Sequence, residues 1–414
     1  MAFAFFAVKF LFLNANAYPA SHGTRVLGIT RADFGRCWHT GGMYDCIVIG
    51  AGPAGAAAAY HLAKAGRSVL ILEKDGHPRY KPCGGGVSPE VAQWFDFDFS
   101  PAINTKVSRF RFTYEGGDPI EVEANTREPL WLVRREVFDA FLVAQAQQQG
   151  AQLKAGCAAL SLRFEASGWT VETSEGPQHA RFLVAADGAK GTLAKALGFT
   201  QRRFRIAGAI EAECATPGTA GLPLCLDFGT VGQGYLWNFP KADGQSLGVG
   251  VLRGRQSRHL RDILKDYTAG FGADLETCAV ASHPIVLWDG DQDLHTQQAL
   301  IVGEAACIVD PFTAEGIRPS LRTGVLAAEA IHDALDGKDR ALESYSARVQ
   351  QEIGVEMVWA RRLSALFFRL PSLGYKLGVK HPGSPQRMAQ LLCGELRYSQ
   401  VAQRALHRLS GGIF

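Results

Sequence analysis

The sequence predicts an α/β fold: a single Rossmann-like domain, an inserted antiparallel β-sheet and a helical C-terminal region. Three observations lead there. A strand, a glycine turn, a helix and a second strand open at Tyr44. Two further strand–acid–helix units follow, around Asp187 and Glu304. Between them lie runs that alternate at period two, as half-exposed antiparallel strands do. The Rossmann-like domain is expected over 43–85, 130–198 and 296–345, and the inserted domain over 86–129 and 199–295. Residues 346–414 form the helical region, and 1–42 stand outside the fold.

The leader "MAFAFFAVKFLFL" is apolar, interrupted by Lys9, and Ala15-Asn16-Ala17 offers a weak cleavage pattern. A signal peptide, a transit peptide or a mis-assigned start with Met43 as the true first residue all fit. No apolar run reaches the roughly 18 residues that span a bilayer.

From Tyr44 the elements follow in order. "DCIVI" is a short apolar run bounded by glycine, as a buried parallel strand is. Gly50, Gly52 and Gly55 make G-x-G-x-x-G. The first permits the tight turn, the second lets the backbone approach a pyrophosphate, and the third lets the helix press on the strand. The helix N-terminus offers free N–H groups to phosphates. Ala54 in the turn and Lys74 beside Glu73 complete the cradle. Glu73 ends the second strand, where it can accept from both hydroxyls of an adenosine ribose. It would repel a 2′-phosphate, so FAD or NAD fits and NADP does not. The Asp187-Gly188 and Gly303-Glu304 units lie apart from this cradle and suit a longer cofactor, which favours FAD. Because no second G-x-G-x-x-G follows a strand, an NAD(P)H donor would bind transiently in a shared cleft.

The remaining elements build the inserted sheet. "KVSRFRFTYEGGDPIEVEA" reads as a hairpin about Gly-Gly-Asp, and "FRIAGAIEAECA", "LPLCLDFG", "GYLWNFP" and "SLGVGVL" add four strands. Tyr235, Trp237 and Phe239 share one face of "GYLWNFP"; they form either plain core or the wall of a greasy tunnel. "YKPCGGGVSPE" sets Cys83 before Gly84, Gly85 and Gly86, so a flat ring or an apolar chain can come close to that backbone.

These segments together resemble one group. The cradle, "ADG" and "VGEAACIVDPFTAEGIRPS" are similar to FAD oxidoreductases of the p-hydroxybenzoate hydroxylase fold, and "KPCGGGVS", "GYLWNFPK" and "VDPFTAEGIRPSLRTG" to the geranylgeranyl reductase family. The resemblance implies a flavoprotein that reduces carbon–carbon double bonds of a prenyl chain by hydride transfer from reduced flavin. It implies Gly50, Gly52, Gly55 and Glu73 at the ADP moiety and Arg135, or its neighbour Arg134, facing the phosphates. It implies Asp187 and Gly188 at the pyrophosphate region, and Gly303 and Glu304 at ribityl or ribose hydroxyls, with Glu replacing the family's Asp. Asp310, Pro311, Gly316 and Ile317 correspond to the loop beside the isoalloxazine. Tyr235, Trp237, Phe239 and Pro240 correspond to the substrate wall, although Gly232 stands where the pattern often has Pro. Gly85 and Gly86 join the wall as substrate contacts. Cys83 and Tyr235 are the candidate catalytic proton donors, with ordered water a third. A monooxygenase or halogenase on the same fold is the alternative function.

The histidines and cysteines show no metal-ligand spacing. The nine cysteines, odd in number and without a framework, suggest reduced thiols and a cytoplasmic-type compartment. Residues 361–414 carry nine Lys and Arg against one acid, Glu395, and include the exposed-looking "LSALFFRLPSLGYKL". A membrane surface is one partner for such a segment and a solvated helix face is the plainer reading. A prenylated lipid or pigment is the expected substrate and a small electron carrier an alternative donor. No nucleic-acid module is recognisable.

Overall fold

The computed structural model describes residues 42–219, 221–254 and 258–409. The expectations for 1–41 therefore lie outside the described residues. Among the described residues the α/β architecture is as the sequence implies, built on two large sheets and a small one.

The first sheet has a parallel centre. Strand Met43–Ile49 lies between Val69–Glu73 and Gly176–Ala185, and the latter pairs with Ala299–Ile301. Gln152–Ala155 extends the other edge beside Val69–Glu73. All five residues of Val69–Glu73 are buried, which suits a continuous apolar run covered on both faces. A hairpin, Ala159–Glu165 and Gly168–Thr173, adds antiparallel strands to Gly176–Ala185.

Two helices cross over this sheet. Pro53–Lys64 is rich in buried alanine, and Ile317–Leu335 packs on it closely. A Cβ at Gly324 would overlap the Ala54 carbonyl oxygen and come 2.9 Å from the Ala57 Cβ. Small residues here set how near the two helix axes come.

The second sheet has seven strands, in the order Ala279–Trp288, Phe204–Cys214, Gly244–Val251, Gly234–Lys241, Leu224–Phe228, Arg109–Tyr114 and Gly117–Glu123. Its pairs are antiparallel except one: Leu224–Phe228 runs parallel to Arg109–Tyr114. The hairpin turns tighter than Gly-Gly-Asp suggested. Glu115 and Gly116 form its two-residue turn at positive φ, and Gly117 and Asp118 already belong to the strand. Period two sorts the faces: Tyr235, Trp237 and Phe239 point to one side, while Leu236 packs with Leu247, Val249 and Ile263 on the other. A third, small sheet is made of Gly86–Val87, Leu130–Leu132 and Thr105–Val107.

The C-terminal region is helical, as expected. Its "LSALFFRLPSLGYKL" segment is less exposed than its composition suggests. Phe367, Phe368 and Tyr375 are buried against Phe112, Phe228 and Phe312, which leaves Leu370 and Leu373 as its exposed large apolar side chains. Among the described residues no helix is long and apolar enough to cross a membrane.

The cysteine expectation needs correction. Cys214 and Cys278 form a disulfide across 64 positions, joining the end of one strand to the approach to its neighbour. Six other described cysteines are free.

Candidate active site

A cavity of about 520 Å³ lies between the parallel sheet and the seven-stranded sheet. One end is the glycine turn. Gly50 has φ +113°, and a Cβ there would overlap the Ala186 carbonyl, so only glycine permits this approach of two strand ends. Gly55 is equally tight, since a Cβ would overlap the Gly50 carbonyl oxygen; it shapes the turn and does not line the cavity. Gly52 is the N-cap of Pro53–Lys64 and has no side-chain cap. The first N–H groups of that helix are thus uncovered at the cavity wall, where the helix dipole favours anions.

Glu73 is 4% exposed at the end of its strand. Its Oε2 accepts from the Ala51 N–H at 3.0 Å and from Arg79 Nε at 3.2 Å, while Oε1 accepts from the Asp75 N–H at 3.2 Å. Lys74 is exposed at the rim. Arg135 is buried and holds Asp139 through two bonds of 2.8 and 2.7 Å, with Arg79 on the same carboxylate at 3.3 Å. Arg134 points elsewhere, to Glu213 at 3.0 Å and Asp243 at 2.8 Å.

Midway along, Asp187 accepts from the Leu193 N–H at 2.9 Å through one oxygen. Its other oxygen, Oδ1, is buried without a partner, and burial raises the carboxyl above its ordinary range. Gly303, at φ +62°, packs against Ala54 and donates its N–H to Thr323 Oγ1. Burial would lift the Glu304 carboxyl. His283 at 3.8 Å, Lys81 at 3.4 Å and the Val286 N–H at 3.1 Å outweigh that and hold it down to about 2.

Loop 310–316 closes the far side. Asp310 and Pro311 do not reach the cavity; Asp310 is buried and braces the loop. It accepts from the Phe312 and Thr313 N–H groups at 2.7 and 3.1 Å and from the Tyr398 hydroxyl at 2.7 Å. Thr313, Glu315, Gly316 and Ile317 do line the wall. Gly316 is an N-cap without a side-chain cap, so a second helix start faces inward.

The Cys83 loop completes the site. Its glycines are explained by protein neighbours. A Cβ at Gly84 would come 3.0 Å from the Phe239 ring and 3.2 Å from Trp237 Nε1, and one at Gly86 3.2 Å from Phe239. Gly85, at φ +75°, leaves no room beside the Val133 carbonyl. The flat rings against this backbone are those of the aromatic wall. Cys83 lines the cavity, and its sulfur accepts from the Gly85 N–H at 3.4 Å. The Tyr235 hydroxyl donates to the Thr313 carbonyl, and burial raises its proton affinity. Trp237 Nε1 is buried without a partner.

One residue behind the cavity wall and one lining it escaped the sequence reading. Lys241 is fully buried, donates to the Gly84 and Val133 carbonyls at 2.7 and 2.9 Å, and is lowered by burial to about 8. Glu211, 4% exposed, accepts from the Cys83 N–H at 2.6 Å. The signal available for it was the pair of acids at positions 211 and 213 in the alternating strand "AIEAEC".

These atoms fit FAD. The Gly50 turn and two uncapped helix starts suit phosphates and a polar ring edge. Glu73 suits a ribose, and the orphaned Asp187 Oδ1 suits a donor from a hydroxylated chain.

Comparison with known proteins agrees. The family model for an FAD binding domain matches residues 43–220. A menaquinone reductase of Mycobacterium tuberculosis is 31% identical over 346 residues, which cover 78% of this chain and 83% of that protein. A digeranylgeranylglycerophospholipid reductase of Methanopyrus kandleri is 27% identical over 379 residues, 84% of this chain and 96% of that one. Among solved structures, a geranylgeranyl bacteriochlorophyll reductase-like protein of Thermoplasma acidophilum superposes with a TM-score of 0.71 at 20% identity. The match covers 88% of this chain and 96% of that one. A flavin-dependent brominase superposes at 0.66 with 18% identity over 89% and 99%, a likeness of fold alone. With FAD as its cofactor and reductases as its relatives along most of its length, the chain belongs to the geranylgeranyl reductase family of FAD-dependent oxidoreductases.

Proposed function

We propose that this oxidoreductase saturates carbon–carbon double bonds in the prenyl chain of a quinone or lipid. The observation that carries the reading is the joint lining of one cavity by the dinucleotide cradle and by Tyr235, Trp237 and Phe239. When bound, FAD in its reduced form supplies a hydride. The protein supplies the rest. An isolated alkene is a poor hydride acceptor, so holding it flat and oriented counts for several kcal/mol. The rings of Trp237 and Phe239, locked against Gly84 and Gly86, form a rigid apolar surface for that task. Tyr235, tied to Thr313, fixes the loop on the opposite side. A proton must reach the second carbon, and Cys83, which lines the same cavity, is one candidate to supply it. NAD(P)H or a small electron carrier would recharge the cofactor. The basic C-terminal region, with Leu370 and Leu373 exposed, suits contact with a membrane surface.

The test is anaerobic. Protein loaded with FAD is bleached with dithionite, then mixed with geranylgeranyl lipids or menaquinone. Return of the yellow colour with a gain of two hydrogens located in the prenyl chain of the extracted lipid, not in a quinone ring, supports the reading. Colour that returns with oxygen alone, together with hydroxylated or halogenated product, selects the monooxygenase or halogenase alternative.

A further inference from the structure

Several groups in the cavity wall or just behind it carry protons, and their surroundings differ. The Tyr235 hydroxyl is committed to the Thr313 carbonyl, and burial with Asp310 nearby strengthens its hold on the proton. Lys241 spends two N–H groups on the Gly84 and Val133 carbonyls. Glu211 lines the cavity from strand Phe204–Cys214, almost wholly buried, with its Oε1 2.6 Å from the Cys83 nitrogen and 3.3 Å from the Tyr80 hydroxyl oxygen. Tyr80 is 49% exposed and donates its hydroxyl to this buried carboxyl.

The charges around Glu211 come from every neighbouring element. Glu213 on its own strand is paired with Arg134 at 3.0 Å. Tyr80 and Cys83 approach from the loop. Lys241 stands two strands away. On the adjoining strand, His283 lies two residues beyond Ala281, which is opposite Glu211, and engages Glu304. Gly248, opposite on the other flank, carries no charge. Burial, then Glu213, raises the carboxyl to about 7, against the Cys83 N–H, Tyr80 and Lys241. Acid and base forms then coexist near neutral pH, the poise that general acid catalysis uses best.

We propose that Glu211 is a catalytic acid of the reduction, giving its proton to the alkene, with Tyr80 as its path to solvent. The proposal rests on the prenyl-reductase reading. The step balances. The π bond breaks, one carbon takes the hydride that reduced FAD supplies, and the other forms its C–H bond with the Glu211 proton. The alkene is reduced, the flavin is oxidised, and the carboxylate left behind recovers a proton from water through Tyr80.

The test compares the unaltered protein with Glu211→Gln and Glu211→Asp, each loaded with FAD. Gln keeps an oxygen acceptor for the Cys83 N–H and has no acidic proton. FAD uptake and bleaching by dithionite are expected to survive in both variants. Anaerobic reoxidation of the bleached protein by a prenyl substrate is expected to slow roughly 100- to 10,000-fold in Glu211→Gln. In the unaltered protein that rate falls as pH rises through about 7; the inflection is absent with Gln and returns, at part of the rate, with Asp. Infrared difference spectra without substrate supply a second readout. A protonated-carboxyl band that fades across neutral pH in the unaltered protein is expected to be missing in Glu211→Gln. The proposal is overturned if Glu211→Gln keeps the rate and its inflection, or if the unaltered protein shows no such band. If no prenyl substrate restores the colour of the unaltered protein, the functional reading falls first and this proposal with it.

Discussion

At Gly85 two constraints meet on one residue. Its φ of +75° disfavours any side chain, and a Cβ would overlap the Val133 carbonyl while coming 2.9 Å from Lys241 Nζ. Left-handed backbone costs an L-residue roughly 1–2 kcal/mol and overpacking adds about 1–3. Gly85→Ala is therefore expected to lower unfolding stability by at least about 2 kcal/mol in a urea titration. A change below about 0.5 kcal/mol would mean that the loop has room to relax. Glu211 makes stability depend on pH. Its carboxyl is raised in the folded state, so between about 4.5 and 7 the native protein holds more protons than the unfolded chain. Stability then falls as pH rises through that window and levels off above it. Glu211→Gln removes the slope. The variant should melt near the unaltered protein at pH 5 and above it at pH 7.5; Lys241, lowered to about 8, begins to titrate there in both proteins. Parallel melting curves at both pH values would show that Glu211 is not the source.

In helix Ile317–Leu335 two opposing effects meet at Gly324. Replacing glycine by alanine inside a helix normally gains about 1 kcal/mol. At Gly324 the new methyl would meet the Ala54 carbonyl and the Ala57 Cβ, both in another helix. Overpacking of about 1–3 kcal/mol outweighs the gain. Gly324→Ala should thus melt lower and load FAD more weakly, because Ala54 lies in the first turn of the helix that follows the Gly50 turn; a rise in melting temperature would refute this. Elements also show where a sequence can be read. The Gly50–Glu73 unit is local, every residue of it within one strand–helix–strand passage, and it was legible whole. Tyr235, Trp237 and Phe239 were legible as one face because strand periodicity is fixed at two. Glu211 and Lys241 were not, since their approach to Cys83 depends on the register of strands that pair over long separations. The Cys214–Cys278 disulfide was hidden for the same reason: spacing alone cannot assign a partner. Asp310 was legible as important to its loop, but its turn away from the cavity follows from Tyr398, which lies 88 positions on.

That link operates over the whole molecule. Tyr398 sits in a C-terminal helix, and its hydroxyl is the donor to Asp310 Oδ2 in a buried place. Tyr398→Phe would leave that oxygen unpaired, at a cost of about 1–3 kcal/mol. Hydrogen exchange at the 312–316 amides should quicken, with the parallel sheet unchanged; equal protection in both proteins would show that the loop stands without this brace. The seven-stranded sheet is also a whole-molecule object, because its one parallel pair joins Arg109–Tyr114 to Leu224–Phe228. On the ribosome this has a cost in time. At roughly 5–20 residues per second, the hairpin carrying Phe110 and Phe112 waits on the order of ten seconds for its neighbour to emerge. During that wait the nascent chain shows an unpaired, greasy strand edge. A holding chaperone, or slow translation timed past residue 228, would decide how much of the newly made protein escapes clumping.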